Sequence, residues 1–291
     1  MAFAWLASLP DVVAGLERRW GVTTGAPFTA GTSAWVAPAE RGGVALVLKV
    51  VWPHPEAREE AAGLEVWAGR GAVRLVERDR GAWALLLERC DPGLALVESP
   101  MAPEDALVVG AEVLSALWSA PLPPDAPTAF DDVAAVCGGW ADLVRERMAT
   151  YKPPFDAGLV EAAAVLLETL PAAPTRSVLV HGDANPGNIL SSCRDGWLAI
   201  DPKPMVGDPA YDPSPLLLQV DPPFAHPDPR RVLTRRVDFF ADLSGLPADR
   251  LVAWMLARTV ESALWYLASG APSEAAESME EAAVMARILH R

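Results

Sequence analysis

The chain has 291 residues, of which 51% are hydrophobic, and its formal net charge is −14. This composition predicts a sizeable folded core and excludes a disordered chain. The negative charge argues against nucleic acid and anionic membranes as partners, and no apolar run is long enough to span a bilayer. Three cysteines far apart and four scattered histidines indicate reduced cytoplasmic thiols rather than disulfides or a zinc site.

The first ninety residues are predicted to form a helix and two hairpins around a second helix. "MAFAWLASLPDVVAGLERRW" has apolar residues at helical spacing, and "AWVA" and "VALVLKV" form a hairpin. "PEAREEAAGLEVWAGR" reads as a helix, and "AVRLVERDRGAWALLLERC" as two strands that turn at "DRG". "CDPGL", residues 90–94, is a plausible hinge.

The pattern becomes helical beyond the hinge. Residues 103–118 and 156–170 have apolar faces at helical spacing, and two or three more helices are expected from about residue 231. Between them lies "VLVHGDANPGNIL", residues 178–190, in which two apolar strands flank a polar loop. "SSCRDG" then leads into the short strand "WLAI".

The charge is distributed unevenly between these two parts. Residues 1–90 contain as many basic as acidic residues, so residues 91–291 carry the whole negative excess. This excess is either an ordinary acidic surface, which keeps a protein soluble, or a means of attracting a cationic ligand to the second part.

Three polar side chains flank the strand ends in the second part. Asp183 and Asn188 lie five residues apart on one loop, and Asp201 follows the strand "WLAI", eighteen residues after Asp183. Carboxylate and amide oxygens suit Mg²⁺, and a further carboxylate beside them can orient an attacking hydroxyl. This order is that of the catalytic Asp, metal Asn and metal Asp of kinases.

A kinase also needs a cation for the phosphates, and Lys49 is the only lysine in the first ninety residues. Glu60, eleven residues later, is the predicted partner of Lys49, with Glu59 and Glu65 as competitors. The small-residue segment "TAGTSAW" is predicted to cover the phosphates with backbone N–H groups; its central residues are Gly31, Thr32 and Ser33. Each feature alone has an ordinary structural explanation, and their order and spacing together favour a kinase.

Two segments carry a family resemblance. "HGDANPGNIL" followed by "AIDPKPMVGDPAYD" resembles the aminoglycoside phosphotransferases, in particular the branch of streptomycin 6-phosphotransferases and hydroxyurea kinases. "FTAGTSAWVAP", "VLKV", "GRGAVRLVE" and "ALLLERCDPG" match that branch in the same order. The resemblance covers nearly the whole chain.

The resemblance implies an α+β, bilobal, protein-kinase-like fold with ATP between a small β-rich N-lobe, residues 1–90, and a larger helical C-lobe, residues 91–291. Ala184-Asn185 stands where the branch usually has Leu-His, and His181 is interpreted as a structural residue. The implied roles are the base for Asp183, Mg²⁺ binding for Asn188 and Asp201, phosphate binding for Lys49, and backbone contacts to adenine for Glu88 and Cys90.

The expected reaction is ATP-dependent phosphorylation of a hydroxyl on a streptomycin-like, cationic small molecule, without an obligate protein partner. Candidate contacts to that molecule are Asp208, Asp212 and Glu261; the alternatives are loop structure for the two aspartates and a solvated helix for the glutamate. A kinase for hydroxyurea, a sugar or another small metabolite is the first alternative function. A nucleotide-binding protein without turnover is the second.

Overall fold

The structure is a computed structural model that describes residues 2–29 and 33–289. The helices are α1 (Ala2–Trp20), α2 (Glu60–Trp67), α3 (Pro103–Trp118), α4 (Ala126–Ala129), α5 (Val133–Tyr151), α6 (Ala157–Ala172), α7 (Ser214–Gln219), α8 (Pro229–Ser244), α9 (Ala248–Ala268) and α10 (Pro272–Leu289). The strands are β1 (Thr23–Thr24), β2 (Ala34–Arg41), β3 (Val44–Val51), β4 (Leu75–Asp79), β5 (Ala84–Glu88), β6 (Pro92–Ala95), β7 (Asp131–Asp132), β8 (Val178–Val180), β9 (Ile189–Ser192), β10 (Gly196–Ala199) and β11 (Met205–Gly207).

The first part of the chain is an antiparallel five-stranded sheet in the order β1-β2-β3-β5-β4. Alternate residues of a strand point to opposite faces. Leu48 and Val50 of β3 pack with Leu16 of α1 in one apolar cluster. Lys49, between them, therefore faces the other side of the sheet, where α2 lies. The predicted order of helix, hairpin, helix and hairpin is confirmed.

The second part is mainly helical and contains two small sheets, β10-β9-β6 and β7-β11-β8. Helix α9 is its central element, because it contacts α5, α6, α8 and α10 and buries Trp254 and Met255 completely. The two small sheets lie at the strand ends from which the polar loop and Asp201 emerge. The helical core therefore supports the loops that face the first part.

The two parts are joined by more than the chain connection. Ala199 of β10 accepts from Val73 N and donates to Gly71 O, at 3.1 and 2.8 Å. Arg194 forms an ion pair with Glu88 at the end of β5. Strand β6 already pairs with β9 of the second part, and the domain division after residue 90 stays a prediction.

The predicted helix over 103–118 coincides with α3, and the one over 156–170 agrees with α6 to within two residues. Three helices follow residue 228. The sequence analysis missed α5, whose Gly138-Gly139 pair lowers the helix propensity of its first half. No helix in the described part of the chain combines the length and apolarity that a membrane crossing requires. Cys90, Cys137 and Cys193 are free thiols.

Candidate active site

Lys49 is the cation at the centre of the site. It is 7% exposed, and its Nζ lies 2.7 and 2.8 Å from the two carboxylate oxygens of Glu60 and 2.5 Å from Asp201 Oδ1. Burial favours the neutral amine, yet Glu60 and Asp201 raise the pKa of Lys49, so it stays charged. The predicted pairing with Glu60 is present, whereas the competitor Glu65 binds Arg78 instead.

Helix α2, which carries Glu60, is docked directly on the loops of the second part. A Cβ on Gly63 would lie 2.8 Å from Pro204 Cγ, so only glycine allows this approach. Trp67, completely buried, stacks against His181 with ring centroids 6.2 Å apart. The position of Glu60 is therefore fixed by the same loops that carry Asp183 and Asp201.

The polar loop is held by its own side chains. Asn185 Oδ1 accepts from Gly187 N at 2.9 Å, and Asn185 Nδ2 donates to Asp183 Oδ1 at 3.0 Å. Asn188 Nδ2 donates to the Asp183 carbonyl at 3.0 Å. These bonds close a tight loop and orient the carboxylate of Asp183.

The backbone of this loop packs directly against the backbone of the segment that follows Asp201. Gly182 has φ +82°, and a Cβ there would lie 2.0 Å from the carbonyl oxygen of Lys203. Lys203 N donates to His181 O at 2.8 Å. Glycine at 182 is thus required for both its backbone conformation and this close contact.

His181 is 1% exposed, and burial lowers its pKa, so its ring is neutral. Its Nδ1 accepts from Asp183 N at 3.2 Å, so Nε2 carries the proton and donates to Ile200 O at 3.0 Å. Both ring nitrogens are used within the protein. This agrees with the interpretation of His181 as a structural residue.

Asn188 and Asp201 are brought together by the backbone. Ile200 N donates to Asn188 O at 2.9 Å, and the next residue, Asp201, has φ +55°. A non-glycine residue in this region costs about 1–3 kcal/mol and is typical of functional sites. The Asp201 side chain is 55% exposed, and Lys49 holds its pKa below the ordinary value although burial opposes this.

The donor set of Asn188 and Asp201 fits Mg²⁺, which prefers hard oxygen ligands and keeps several waters or phosphate oxygens. Asn188 donates through Nδ2, which leaves Oδ1 as its potential ligand atom. Over residues 2–29 and 33–289 there is no group of three or more His, Cys, Asp or Glu side chains that would enclose a metal ion. Because Mg²⁺ takes one or two protein ligands together with phosphate oxygens, the two oxygen donors of Asn188 and Asp201 fit a metal shared with a phosphate-bearing ligand.

Comparison with known proteins decides the family. Residues 19–270 match the model of the aminoglycoside/hydroxyurea antibiotic resistance kinases. The chain belongs to this family. It is 35% identical to a streptomycin 6-kinase of Streptomyces glaucescens, over 92% of this chain and 86% of that protein. It is 33% identical to a hydroxyurea phosphotransferase of Kitasatospora aureofaciens, over 99% of this chain and 81% of that protein.

Solved structures confirm the bilobal, protein-kinase-like fold of this kinase. The ternary complex of a thermostable mutant of aminoglycoside phosphotransferase APH(4)-Ia with ADP and hygromycin B superposes with a TM-score of 0.65 at 18% identity, and covers 94% of this chain and 97% of that one. Choline kinase LicA from Streptococcus pneumoniae gives 0.66 at 13% identity, over 96% and 99% of the two chains. The chain is a phosphotransferase of this kinase family.

Asp212 is not available to a substrate, which corrects the sequence-based expectation. It is completely buried, and its carboxylate accepts from His181 N, Gly182 N and Trp118 Nε1, each at 2.9 Å. Burial raises its pKa, while these donors stabilise the anion. The carboxylate of Asp212 therefore holds the backbone of the polar loop in place at His181 and Gly182.

Asp208 has a similar structural role and is likewise corrected. It is completely buried and accepts from Arg250 Nε at 2.5 Å, Trp254 Nε1 at 2.9 Å and Thr175 Oγ1 at 3.2 Å. It ties the segment after β11 to helix α9. Of the two explanations weighed from the sequence, loop structure is the one that the burial of both aspartates supports.

Replacing Asp212 with asparagine should destabilise the kinase. One carboxylate oxygen becomes an NH₂ that faces backbone N–H donors, so buried donors lose their acceptor. The expected loss in the free energy of unfolding is about 2–3 kcal/mol. Denaturant unfolding of Asp212→Asn beside Asp238→Asn, an exposed aspartate on α8, measures it. Equal stability of the two variants would refute the anchoring role.

Glu261 on α9 is neither free nor fully solvated. Its side chain is 15% exposed and lies 3.2 Å from Arg147 Nη1. Burial raises its pKa, and Arg147 opposes that shift. Sequence reasoning missed Arg147, because it lies 114 positions away on a helix that was not predicted. A contact between Glu261 and a substrate stays a prediction.

The residues expected around the nucleotide are only partly described. Gly31 and Thr32 lie outside the described residues, and Ser33 O accepts from Trp52 N at 2.8 Å at the start of the hairpin. Strand β5 ends at Glu88, whose carboxylate binds Arg194. Cys90 is buried two residues further on. Backbone contacts of Glu88 and Cys90 with adenine stay a prediction.

Sequence reasoning missed two residues beside Asp183. The sequence marks Asn185 only as a departure from the family pattern, and its bond to Asp183 Oδ1 is seen only in the folded loop. Lys203 lies within the segment "AIDPKPMVGDPAYD", from which no role for it is predicted, and its Nζ lies 3.4 Å from Asp183 Oδ2. The signal for Lys203 was available, because it follows Asp201 by two residues and so lies near the same strand end.

Proposed function

We propose that the protein transfers the γ-phosphoryl group of ATP to a hydroxyl of a streptomycin-like, cationic aminocyclitol. The observation that carries this proposal is that Lys49 binds both Glu60 and Asp201, while Lys203, two residues after Asp201, contacts Asp183. The identity of the acceptor is inferred from the similarity to two streptomycin 6-kinases, which are 35% and 33% identical over more than nine-tenths of this chain.

The nucleotide is assigned to the cleft between the two lobes. Structures of similar fold are described with ADP or AMP-PNP. Lys49 is the cation for the phosphates. The backbone at Glu88 and Cys90 meets the adenine. We place the reaction in the cytoplasm, where ATP is available and free thiols such as those of Cys90, Cys137 and Cys193 stay reduced.

Asn188 and Asp201 would hold Mg²⁺, which neutralises charge on the phosphate oxygens. Lys49 binds both Glu60 and Asp201, and it thereby sets the distance between helix α2 and the metal-binding aspartate. Phosphoryl transfer passes through a loose transition state, so that positioning and charge neutralisation supply most of the rate. The contacts of Lys49 contribute to both the positioning of the groups and the neutralisation of charge.

Asp183 is the base in this proposal. Asn185 occupies its Oδ1, so the acceptor hydroxyl binds at Oδ2. The hydroxyl oxygen forms the new bond to the γ-phosphorus, and the bond to the bridging oxygen breaks with its electron pair going to ADP. The hydroxyl proton passes to Asp183 Oδ2 and then to solvent. Asn185 and Asn188 keep the carboxylate in place during this step.

The acidic charge of residues 91–291 supports a cationic acceptor. With Asp208 and Asp212 buried, the attraction comes from the surface of the lobe as a whole and from Glu261 if a substrate reaches it. Since exposed charges are screened over about 8 Å at physiological ionic strength, the effect acts mainly on the encounter with the acceptor.

The KM for streptomycin should therefore rise with salt. Between 50 and 300 mM NaCl we expect an increase of roughly three-fold or more, with kcat much less affected, because screening weakens attraction before binding. The measurement is ADP release at varied streptomycin and salt concentrations. Hydroxyurea, which is neutral, is the control acceptor. If the KM for streptomycin does not change with salt, the negative charge of residues 91–291 does not serve to attract the acceptor.

Hydroxyurea is the second candidate acceptor, because the hydroxyurea phosphotransferase aligns with 99% of this chain. The same assay separates the two functions. Turnover of streptomycin with no turnover of hydroxyurea supports the proposal. Turnover of hydroxyurea alone would mean that the protein is a hydroxyurea kinase. Binding of ATP without turnover of either acceptor would mean that it is a nucleotide-binding protein without kinase activity.

A further inference from the structure

Lys203 is a second cation in the cleft, and the reaction described above gives it no role. Its Nζ lies 3.4 Å from Asp183 Oδ2 and 3.2 Å from Glu56 Oε2. The lysines of this chain are Lys49, Lys152 and Lys203, and all its other basic side chains are arginines apart from four histidines. Two of the lysines thus lie at one cleft.

The backbone of Lys203 is fixed while its ammonium group remains accessible. Its N–H donates to His181 O, and its carbonyl oxygen packs against Gly182. The prolines at 202 and 204 restrict the backbone further. The side chain is nevertheless 41% exposed, against 9% for Lys49.

The two lysines are placed for different tasks. Lys49 is buried and engaged by Glu60 and Asp201, on the side of the metal-binding residues. Lys203 lies on the side of Asp183. Since Asn185 occupies Oδ1 of Asp183, a hydroxyl bound at Oδ2 would lie next to the ammonium group of Lys203.

We propose that Lys203 is a catalytic residue that binds the non-bridging oxygens of the γ-phosphoryl group as it passes to the acceptor hydroxyl beside Asp183. This inference rests on the proposed phosphoryl transfer. The phosphoryl oxygens share the negative charge of the transition state, and a compact ammonium group close to them stabilises that charge.

The charge state of Lys203 fits this role. Its ammonium group lies between two carboxylates, 3.4 Å from Asp183 Oδ2 and 3.2 Å from Glu56 Oε2, and opposite charges at this distance favour the charged form of a lysine. Glu56 belongs to the N-lobe, and it holds the ammonium group beside Asp183 before substrates bind. Lys203 then exchanges contacts with Glu56 and Asp183 for contacts with phosphoryl oxygens.

The competing explanation is a tether between the lobes, in which Lys203 serves only to bind Glu56. The two explanations differ in what Glu56 contributes. A tether is broken equally by Lys203→Met and by Glu56→Gln. A phosphoryl-binding lysine is lost only in Lys203→Met.

The test compares Lys203→Met, Lys203→Arg and Glu56→Gln with Lys152→Met, the same change at an exposed lysine at the end of α5. Affinity for Mg²⁺–ADP, with and without aluminium fluoride as a mimic of the transferring phosphoryl group, is measured without acceptor. The kcat for phosphoryl transfer and the melting temperature are measured on the same variants.

Lys203→Met should lower kcat by on the order of 10²–10³-fold and remove most of the gain in affinity from aluminium fluoride, while affinity for Mg²⁺–ADP changes less than about three-fold. Lys203→Arg should recover part of both losses. The decrease in kcat caused by Glu56→Gln should be at least ten-fold smaller than the decrease caused by Lys203→Met. Lys152→Met should have the same kcat and the same response to aluminium fluoride as the wild type.

Equal losses in Lys203→Met and Glu56→Gln, or an unchanged response to aluminium fluoride in a folded Lys203→Met, would overturn the proposal. If Lys203→Met does not fold, Lys203→Gln takes its place in the same comparison, and an unchanged fluoride response in that variant also overturns the proposal. These binding measurements need no acceptor, so they stand even if streptomycin proves not to be the substrate.

Discussion

Asp183→Asn should lower kcat for phosphoryl transfer by on the order of 10²–10⁴-fold, because the acceptor hydroxyl loses the carboxylate that takes its proton. The fold should survive, since an asparagine oxygen can still accept from Asn185 Nδ2, the bond that orients this side chain. ATP affinity should stay within about three-fold, because the nucleotide is assigned to Lys49, Asn188 and Asp201.

Steady-state kinetics with saturating acceptor, together with ATP binding by calorimetry, measure both quantities for Asp183→Asn. Asp238→Asn on the exposed face of α8 is the matched control. The base assignment is wrong if ATP binding collapses in Asp183→Asn while the rate at saturation is normal, since Asp183 would then be a structural residue.

Asp201→Asn and Asp201→Ala should each lose turnover, by on the order of 10²-fold or more for the loss of an electrostatic contribution to transition-state stabilisation. The carboxylate is proposed to bind Mg²⁺, and neither replacement supplies an anionic oxygen. The two variants should differ in stability. Asp201 has φ +55°, a conformation that asparagine tolerates better than alanine, so the alanine variant should melt at the lower temperature.

The check is activity against Mg²⁺ concentration, with thermal unfolding in parallel. The residual activity of Asp201→Asn should require more Mg²⁺ than that of the wild type. Wild-type turnover in Asp201→Asn at the same Mg²⁺ concentration contradicts the metal assignment. Loss of turnover that follows the loss of folded protein would instead make Asp201 a residue of the fold.

The side of the sheet that Lys49 faces could be predicted because strands alternate. In "VALVLKV" the residues on either side of Lys49 are apolar and pack with α1, so the lysine faces the other side. The pairing with Glu60 rather than Glu65 depends on where α2 lies against the second part. That position is set by the contact of Gly63 with Pro204, which is distant in sequence.

The burial of Asp208 and Asp212 could not be read from the sequence. Asp208 follows a glycine, and Asp212 ends the segment "GDPAYD", whose glycine, proline and aspartates are typical of an exposed loop. Their partners Trp254 and Trp118 lie 46 and 94 positions away, and only the packed helices bring these donors together. An aspartate with several buried donors is stable inside a protein, but sequence spacing does not reveal those donors.

Asn185 illustrates the same limit at short range. The pattern "HGDANPGN" predicts a polar loop, but which side chain binds which partner within the loop depends on backbone geometry. Asn185 directs one end of its amide to Gly187 and the other to Asp183. The exchange of Leu-His for Ala-Asn therefore affects the orientation of the proposed base.

The most direct test of the central claim is the product itself. Wild-type protein is incubated with Mg²⁺, ATP and streptomycin, and the products are examined by mass spectrometry and ³¹P NMR, with Asp183→Asn as the blank. The account predicts streptomycin that carries one phosphate on a hydroxyl, formed in equal amount to ADP and missing from the blank. Unmodified streptomycin with a phosphorylated hydroxyurea in the parallel reaction, or ADP formed at the same rate in the blank, would contradict it.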